Sequence, residues 1–238
     1  MIISGTNFTG ATSVTFNGVS ASFTVTSATA IQATVPAGAS AGPLSVATRG
    51  GTATSTSNFT VTVKVTLNAA KAGNGSGTLT SSSSPASPTQ INCGATCSAS
   101  YDSGTVVTLT AAPATGSNFT SWSGCDAVSG ATCTVTMNAA RSVTATFAVQ
   151  RFTLTVQKTR LLTGDGTVTS SSSPPTPNQI YCGPNCSGAY PYGTVVTLTA
   201  TPDLLSLFNG WSGCDSVSGT TCTVTIRSAR SVTASFLP

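Results

Sequence analysis

A shift of 89 positions lays much of this chain onto itself. Under it Cys93, Cys97, Cys125 and Cys133 fall on Cys182, Cys186, Cys214 and Cys222, and Tyr101, Phe119, Trp122 and Phe147 fall on Tyr190, Phe208, Trp211 and Phe236. The strings GTVVTLTA, WSGCD and CTVT recur unchanged, and none of these matches needs an insertion. Self-similarity at a fixed period marks a duplicated structural unit. Residues 62–149 and 150–238 are therefore read as two copies of one module, preceded by a different segment, 1–61. Neither copy is large. A unit of this size buries only about 60–65% of its extended-chain surface, which leaves little margin of stability.

The local pattern is that of strands. Val, Thr, Ile, Leu and Phe recur at two-residue spacing between Gly, Pro, Asn and Ser, and β-branched residues suit a pleated surface. About a third of the residues are Ser or Thr, far above ordinary usage. Each copy is expected to hold about six strands. In the first they are Val63–Leu67, Gly77–Thr80, Thr105–Thr110, Phe119–Trp122, Cys133–Met137 and Ser142–Phe147. A Ser/Pro-rich loop is expected to carry Cys93 and Cys97. Segment 1–61 has no cysteine and alternates at roughly ten-residue spacing between Asn-Gly and Gly-Gly turns, the pattern of a β-sandwich.

The charged residues exclude more than they suggest. The 238 residues include five acids, all aspartate (Asp102, Asp126, Asp165, Asp203, Asp215), with no glutamate and no histidine. A Ser-His-Asp triad, a Cys-His pair and imidazole metal ligands are ruled out. Paired-carboxylate chemistry would need two scattered aspartates to meet. No enzyme activity, cofactor or metal site is expected. The net charge of +4 is dispersed, with no basic cluster interleaved with aromatics, so no nucleic-acid partner is expected. Apolar runs fall well short of the about 20 residues of a spanning helix, so no membrane insertion is expected either.

Cysteine sets the compartment. Familiar zinc sites use closely spaced C-x2-4-C pairs in both halves, whereas seven residues separate Cys125 from Cys133. Disulfides are the simpler account, and they imply a secreted, periplasmic or cell-surface protein. Four cysteines per copy allow three connectivities. Local pairs (Cys93 with Cys97, Cys125 with Cys133, Cys182 with Cys186, Cys214 with Cys222) are expected, because the partners are near in sequence and flank Gly-containing turns. A clasp such as Cys97 to Cys125 stays open. On the chain-entropy view the shorter loop is worth roughly 2 kcal/mol and the longer roughly 2.6 kcal/mol. Met1 leads directly into Ile2, Ile3 and Ser4 without an export signal, which reads as a fragment, a processed form or a mis-started frame.

Two family resemblances follow from the motifs. Ser4-Gly5-Thr6-Asn7-Phe8, Val14-Thr15-Phe16-Asn17-Gly18, Ala33-Thr34-Val35-Pro36 and Gly50-Gly51 resemble the IPT/TIG immunoglobulin-like domain. That resemblance implies a further strand before Ile2, which the sequence lacks. Each copy is similar to the divergent internalin-type B-repeat through Gly104–Leu109, Phe119-x-x-Trp122-Ser123-Gly124-Cys125 and Ser142–Phe147 with their equivalents. This implies a β-grasp-like or all-β unit, without catalytic residues, used as a bead in bacterial surface and secreted proteins. The expected fold class is thus all-β: a truncated immunoglobulin-like β-sandwich followed by two tandem small disulfide-stapled β modules.

Other candidate sites have structural readings. Phe119, Trp122, Phe208 and Trp211 are either a sugar-stacking platform or core anchors, and core is preferred because aromatics dominate burial energy. One aspartate per copy (Asp126, Asp215) is too few for calcium, so an Asx-turn role is expected. The runs Ser81–Ser84 and Ser170–Ser173 read as solvated loops. The functional expectation is a non-enzymatic extracellular spacer or adhesive stalk, localised to the bacterial surface or secreted. Expected partners are other domains of a longer polypeptide, identical subunits, or surface glycans and proteins. Two alternatives are kept: a filament subunit assembling by strand addition to the incomplete sandwich, and a carbohydrate- or receptor-binding adhesin.

Overall fold

In the first 64 residues the alternating segments become seven strands: β1 (Ile2–Ser4), β2 (Ser13–Phe16), β3 (Val19–Ser20), β4 (Phe23–Ser27), β5 (Ala30–Ala33), β6 (Leu44–Thr48) and β7 (Gly51–Thr54). The turn after Phe16 is made by Asn17 and Gly18, both with positive φ, as a two-residue hairpin of the right twist requires. One sheet has the order β1-β5-β4 and the other β3-β2-β6-β7. Ile3, Phe8, Ile31 and Ala33 on one side meet Val14, Phe16, Leu44 and Val46 on the other in a single core. The two sheets are unequal in width. All four residues of β7 are exposed although the strand is fully paired to β6.

The structure is a computed structural model that describes residues 1–94, 97–160, 163–183 and 186–238. Strands account for 60% of it, and the described residues contain no helix. It divides into two compact units, Met1–Lys64 and Val65–Pro238.

The second unit contains the duplicated sequence. The first copy has β8 (Lys64–Gly73), β9 (Gly77–Ser84), β10 (Ser98–Asp102), β11 (Val106–Pro113), β12 (Ser117–Ser123), β13 (Ala127–Ser129), β14 (Thr132–Thr136) and β15 (Arg141–Val149). They form two sheets, β10-β8-β15-β12 and β13-β14-β11-β9. The second copy has β16 (Arg151–Arg160), β17 (Gly166–Ser173), β18 (Tyr181–Cys182), β19 (Ser187–Pro191), β20 (Val195–Pro202), β21 (Leu207–Ser212), β22 (Ser216–Ser218), β23 (Thr221–Thr225) and β24 (Arg230–Leu237). Its sheets are β19-β16-β24-β21 and β18-β17-β20-β23-β22. In each copy the first and last long strands pair in parallel at the centre of a sheet, β8 with β15 and β16 with β24. Each module is therefore closed by its own two ends. Of the two outcomes implied by the B-repeat resemblance, the unit is all-β.

Three sequence expectations change. More strands form than expected: β10 and β13 in the first copy, and β18, β19 and β22 in the second. The serine runs are strands rather than solvated loops, since Ser81–Ser84 lie in β9 opposite Val106–Leu109. Serine has weak strand propensity, and the pairing with an apolar neighbour overrides it. The shift of 89 also fails for the first strand of each copy. Val143 and Val232 are 89 apart, but they pair with Ala69 and Val156, which are 87 apart. Lys71 and Lys158, also 87 apart, donate to the carbonyls of Gly77 and Gly166. The connection from β16 to β17 is therefore two residues longer than that from β8 to β9.

The turn after β12 needs glycine. Gly124 has φ 83°, and a methyl there would collide with the Ser142 carbonyl oxygen. Gly130 has φ 54° but open space around its missing side chain. Gly124→Ala is expected to destabilise the first repeat by about 2 kcal/mol or more, and Gly130→Ala by about 1 kcal/mol. Chemical denaturation of the two variants checks the order.

Candidate functional site

Each repeat buries a tyrosine whose hydroxyl must be satisfied. Tyr101 is fully buried, and its hydroxyl lies 2.9 Å from Ser81 Oγ. Ser81 Oγ donates to Gln90 Oε1 at 2.7 Å and accepts the Ile91 amide at 2.8 Å. The amide of Gln90 then donates to Ser83 Oγ and the Ser87 carbonyl. Ser170, Gln179, Tyr190 and Ser172 repeat the network. The inward serines of β9 and β17 are thus the polar lining of the core, which the composition of the run concealed. The recurrence of Ser81, Gln90 and Tyr101 at the same shift was the available signal.

The four disulfides have local connectivity. Cys93 is bonded to Cys97, Cys125 to Cys133, Cys182 to Cys186 and Cys214 to Cys222, and no cysteine is free. In every bridge one partner is fully buried (Cys93, Cys133, Cys182, Cys222) and the other lies nearer the surface.

The aspartates that follow Cys125 and Cys214 do not make Asx turns. Asp126 Oδ2 accepts the Thr136 amide at 2.7 Å, and Oδ1 accepts Arg141 at 2.7 Å. The same arginine reaches the Gly124 carbonyl. Asp215, Thr225, Arg230 and Gly213 form the matching clamp. It ties the disulfide turn to the strand on either side. The Thr136 amide and then Arg141 hold the Asp126 carboxyl below the usual carboxylate value, and Thr225 and Arg230 do the same for Asp215. At Asp165, burial pushes the carboxyl upward, but the Gly166 amide, Lys158 and Arg160 outweigh it and the net shift is down.

The aromatic pairs are half-buried against the repeat cores. Phe119 packs 5.7 Å from Trp122 and 5.9 Å from Phe147, and Phe208 is placed likewise against Trp211 and Phe236. The indole N–H groups donate to the carbonyls of Ala131 and Thr220. Both ends of each ring pair are therefore used within the fold. Among the described residues, no three Cys, Asp, Glu or His side chains converge as a metal site, and no helix is long and apolar enough to cross a membrane.

Two further features lie outside the sequence reading. The first is the joint between the repeats. A single residue, Gln150, separates β15 from β16. Its amide donates to the Gly116 carbonyl, its carbonyl accepts the Tyr192 amide, and its side chain donates to Asn118 Oδ1, each at 2.8 Å. The Tyr192 ring covers Gly116, where a methyl would strike it. Tyr192 has Ser103 as its counterpart, so the joint rests on a residue that the repeat does not share. The second feature is an apolar cleft of about 230 Å³ in the N-terminal sandwich, lined by Ile3, Phe8, Leu44, Val46 and Ala53. Its walls come from β1, β6 and β7.

The carboxylate clamps fix an acid limit of stability. Because their folded pKa values are depressed, their contribution is full above the ordinary carboxylate value near 4 and is lost as pH falls through the folded values. The variant Asp126→Asn/Asp215→Asn should lose less stability than the parent on passing from about pH 5 to pH 2. Thermal melts across that range check this. Tyr101→Phe should cost about 1–2 kcal/mol, because Ser81 and Gln90 lose a partner inside the core.

Comparison with known proteins gives two family matches. The divergent InlB B-repeat domain matches residues 92–151 and 162–238, and the IPT/TIG domain matches residues 1–80. No curated protein matches the chain. Among solved structures, the Bacillus anthracis TIE protein is similar at 11% identity and a TM-score of 0.45, covering 96% of this chain and 47% of that one. The chain thus spans about half the length of that protein. A C-terminal fragment of the pilus adhesin SpaC from Lactobacillus rhamnosus GG is similar at 11% identity and a TM-score of 0.41, covering 74% of this chain and 98% of that one. The major pilin of Streptococcus pyogenes is similar at 12% identity and a TM-score of 0.30, covering 74% of this chain and 97% of that one. With two matched copies that fill more than half of its length, this chain belongs to the divergent InlB B-repeat domain family and carries an IPT/TIG domain at its N-terminus.

Proposed function

We propose that the chain is a non-enzymatic structural segment of a bacterial extracellular protein, a spacer or adhesive stalk in which 1–61, 62–149 and 150–238 are modules in series. The observation that carries this reading is the Gln150 joint. One linking residue is bonded on both sides, to Gly116 and Asn118 of the first repeat and to Tyr192 of the second. A joint made this way transmits orientation from one module to the next, whereas a Gly/Ser linker of several residues would not. The family assignment supports a bacterial surface setting. The stapled cores support an oxidising one, outside the cytoplasm. The chemistry of the described side chains supports a passive role: Asp126, Asp165 and Asp215 are held in ion pairs, and neither histidine nor glutamate is present to move a proton. The partners of such a segment are neighbouring domains of the same polypeptide, identical subunits, or glycans and proteins on a facing surface.

The joint provides the test. Arg151 follows Gln150 directly, so trypsin reports on whether the link is held. The parent chain should resist cleavage there, and Gly116→Ala or Tyr192→Ala should be cut at Arg151 at least about tenfold faster, since loss of roughly 1.4 kcal/mol of local protection gives that factor. Equal cleavage rates would mean that the modules are not held in line. Thiol titration of the chain taken from its native cells should find no free thiol before reduction, and reactive thiols there would place it inside the cell.

A further inference from the structure

The two repeats differ most informatively in one turn. In the first repeat Thr115, Gly116 and Asn118 lie at the joint, with Gly116 and Asn118 bonded to Gln150. Their counterparts in the second repeat are Leu204, Leu205 and Leu207, which are 92%, 88% and 64% exposed. Leu205 has φ 66°, a left-handed conformation that Gly116 adopts freely and that a leucine side chain opposes. Three leucines held in water, one of them in a strained backbone, gain nothing for the isolated fold. Of the same positions one repeat earlier, Gly116 is buried beneath the Tyr192 ring, while Thr115 and Asn118 are exposed. Asp203 precedes the leucines and, among the described residues, has no ion-pair partner.

The N-terminal sandwich presents the complementary shape. Its apolar cleft between Ile3, Phe8, Leu44, Val46 and Ala53 opens at the surface, and a second depression of about 360 Å³ continues it to Gly50 and Gly51. Arg49, in the turn between β6 and β7, stands at that end of the cleft. It is exposed and, among the described residues, makes no ion pair. The chain therefore carries an apolar knob beside an unpaired carboxylate and an apolar recess beside an unpaired guanidinium.

We propose that the Leu204–Leu205 turn of one copy seats in the sandwich cleft of a second copy, with Asp203 facing Arg49. The contact is heterologous: knob and recess lie on different parts of the chain, so each copy that joins leaves one of each unfilled, and association continues unless it closes into a ring. This partner assignment rests on the structural-segment reading, but the two fail separately. A chain that never self-associates would still be a spacer.

Sedimentation velocity of the full oxidised chain over a concentration series tests it. The parent should form species heavier than its 23.5 kDa monomer as concentration rises. Leu204→Thr/Leu205→Gly restores the residues of the first repeat and should weaken association by at least about a hundredfold, since each buried leucine is worth roughly tenfold or more. Ala53→Trp fills the recess and should do the same. Arg49→Asp and Asp203→Arg should each weaken association, and the two together should recover it. These surface variants and the leucine pair keep the test independent of the folding of Ala53→Trp. The decisive sample is a mixture of the leucine variant, which keeps its recess, with Ala53→Trp, which keeps its knob. It should give a one-to-one dimer that grows no further. A parent that stays monomeric at its highest soluble concentration overturns the proposal. So does undiminished assembly of the leucine variant, which would point to strand addition along the free edge of β1. Continued self-association of Ala53→Trp would mean instead a symmetric leucine-to-leucine contact.

Discussion

The disulfide that joins a buried strand to a peripheral turn is the constraint on which each repeat depends. A core of about sixteen buried residues cannot hold eight or nine short strands by apolar contact alone. Each bridge sets one sulfur deep among core side chains and the other nearer the surface. Cys133 lies within β14 between Thr132 and Thr134, while Cys125 lies in the turn that leads to β13. The bridge therefore ties the edge strand β13 and the turn before it to its neighbour β14. The Asp126 clamp secures the same turn from its other side by binding the Thr136 amide and Arg141. Covalent and ionic ties converge on one short segment, and they do so identically in both copies.

How much of this was legible in the sequence varied with the range over which the information acts. The all-β class follows from two-residue periodicity, a local property. The duplication follows from cysteine and aromatic spacing, and the strands around Val106–Thr110 and Ser142–Phe147 declare themselves by composition. The serine runs do not. Ser81 to Ser84 become a strand because β11 lies alongside, and Ser81 faces inward because Tyr101, twenty residues away, needs a hydroxyl partner. Neither condition is visible within a window around residue 81. Likewise β10 contains Tyr101 among Ser, Ala and Asp, too weak a pattern to stand alone, and exists because β8 offers it an edge. The two-residue difference in the first loop was hidden because every strong marker of the repeat lies after Gly77.

The polar interior also explains the composition. With only fourteen Lys, Arg and Asp residues in the chain, counted as nine basic and five acidic, hydroxyls rather than charges satisfy the buried donors and acceptors. A serine on an inward strand position fills little volume and can accept an amide while donating to a carbonyl or side-chain oxygen. Ser81 and Ser170 do both. Threonine meets the remaining demand on the outer faces, where its β-branched side chain favours the strand and its hydroxyl keeps the surface wet. A Ser/Thr-rich sequence of low charge is thus what a small, two-sheet module with a wired tyrosine requires.

Agreement and divergence between the copies separate folding from association. Residues that close a module are the same in both: Tyr101 and Tyr190, Gln90 and Gln179, Trp122 and Trp211, Asp126 and Asp215. Two of the changes in chemistry between the copies fall at turns. Ser103 becomes Tyr192 where the second repeat must meet the first, and Thr115, Gly116 and Asn118 become Leu204, Leu205 and Leu207 in the turn that leads into β21. A duplicated module is under the same internal constraint at every position of its core, so substitutions that alter size and polarity together are tolerated only where the neighbours differ. The first of these two divergences is already matched by a neighbour, the Gly116 seat. The second has the size and polarity of a contact surface and, by the same reasoning, is explained by a neighbour of its own.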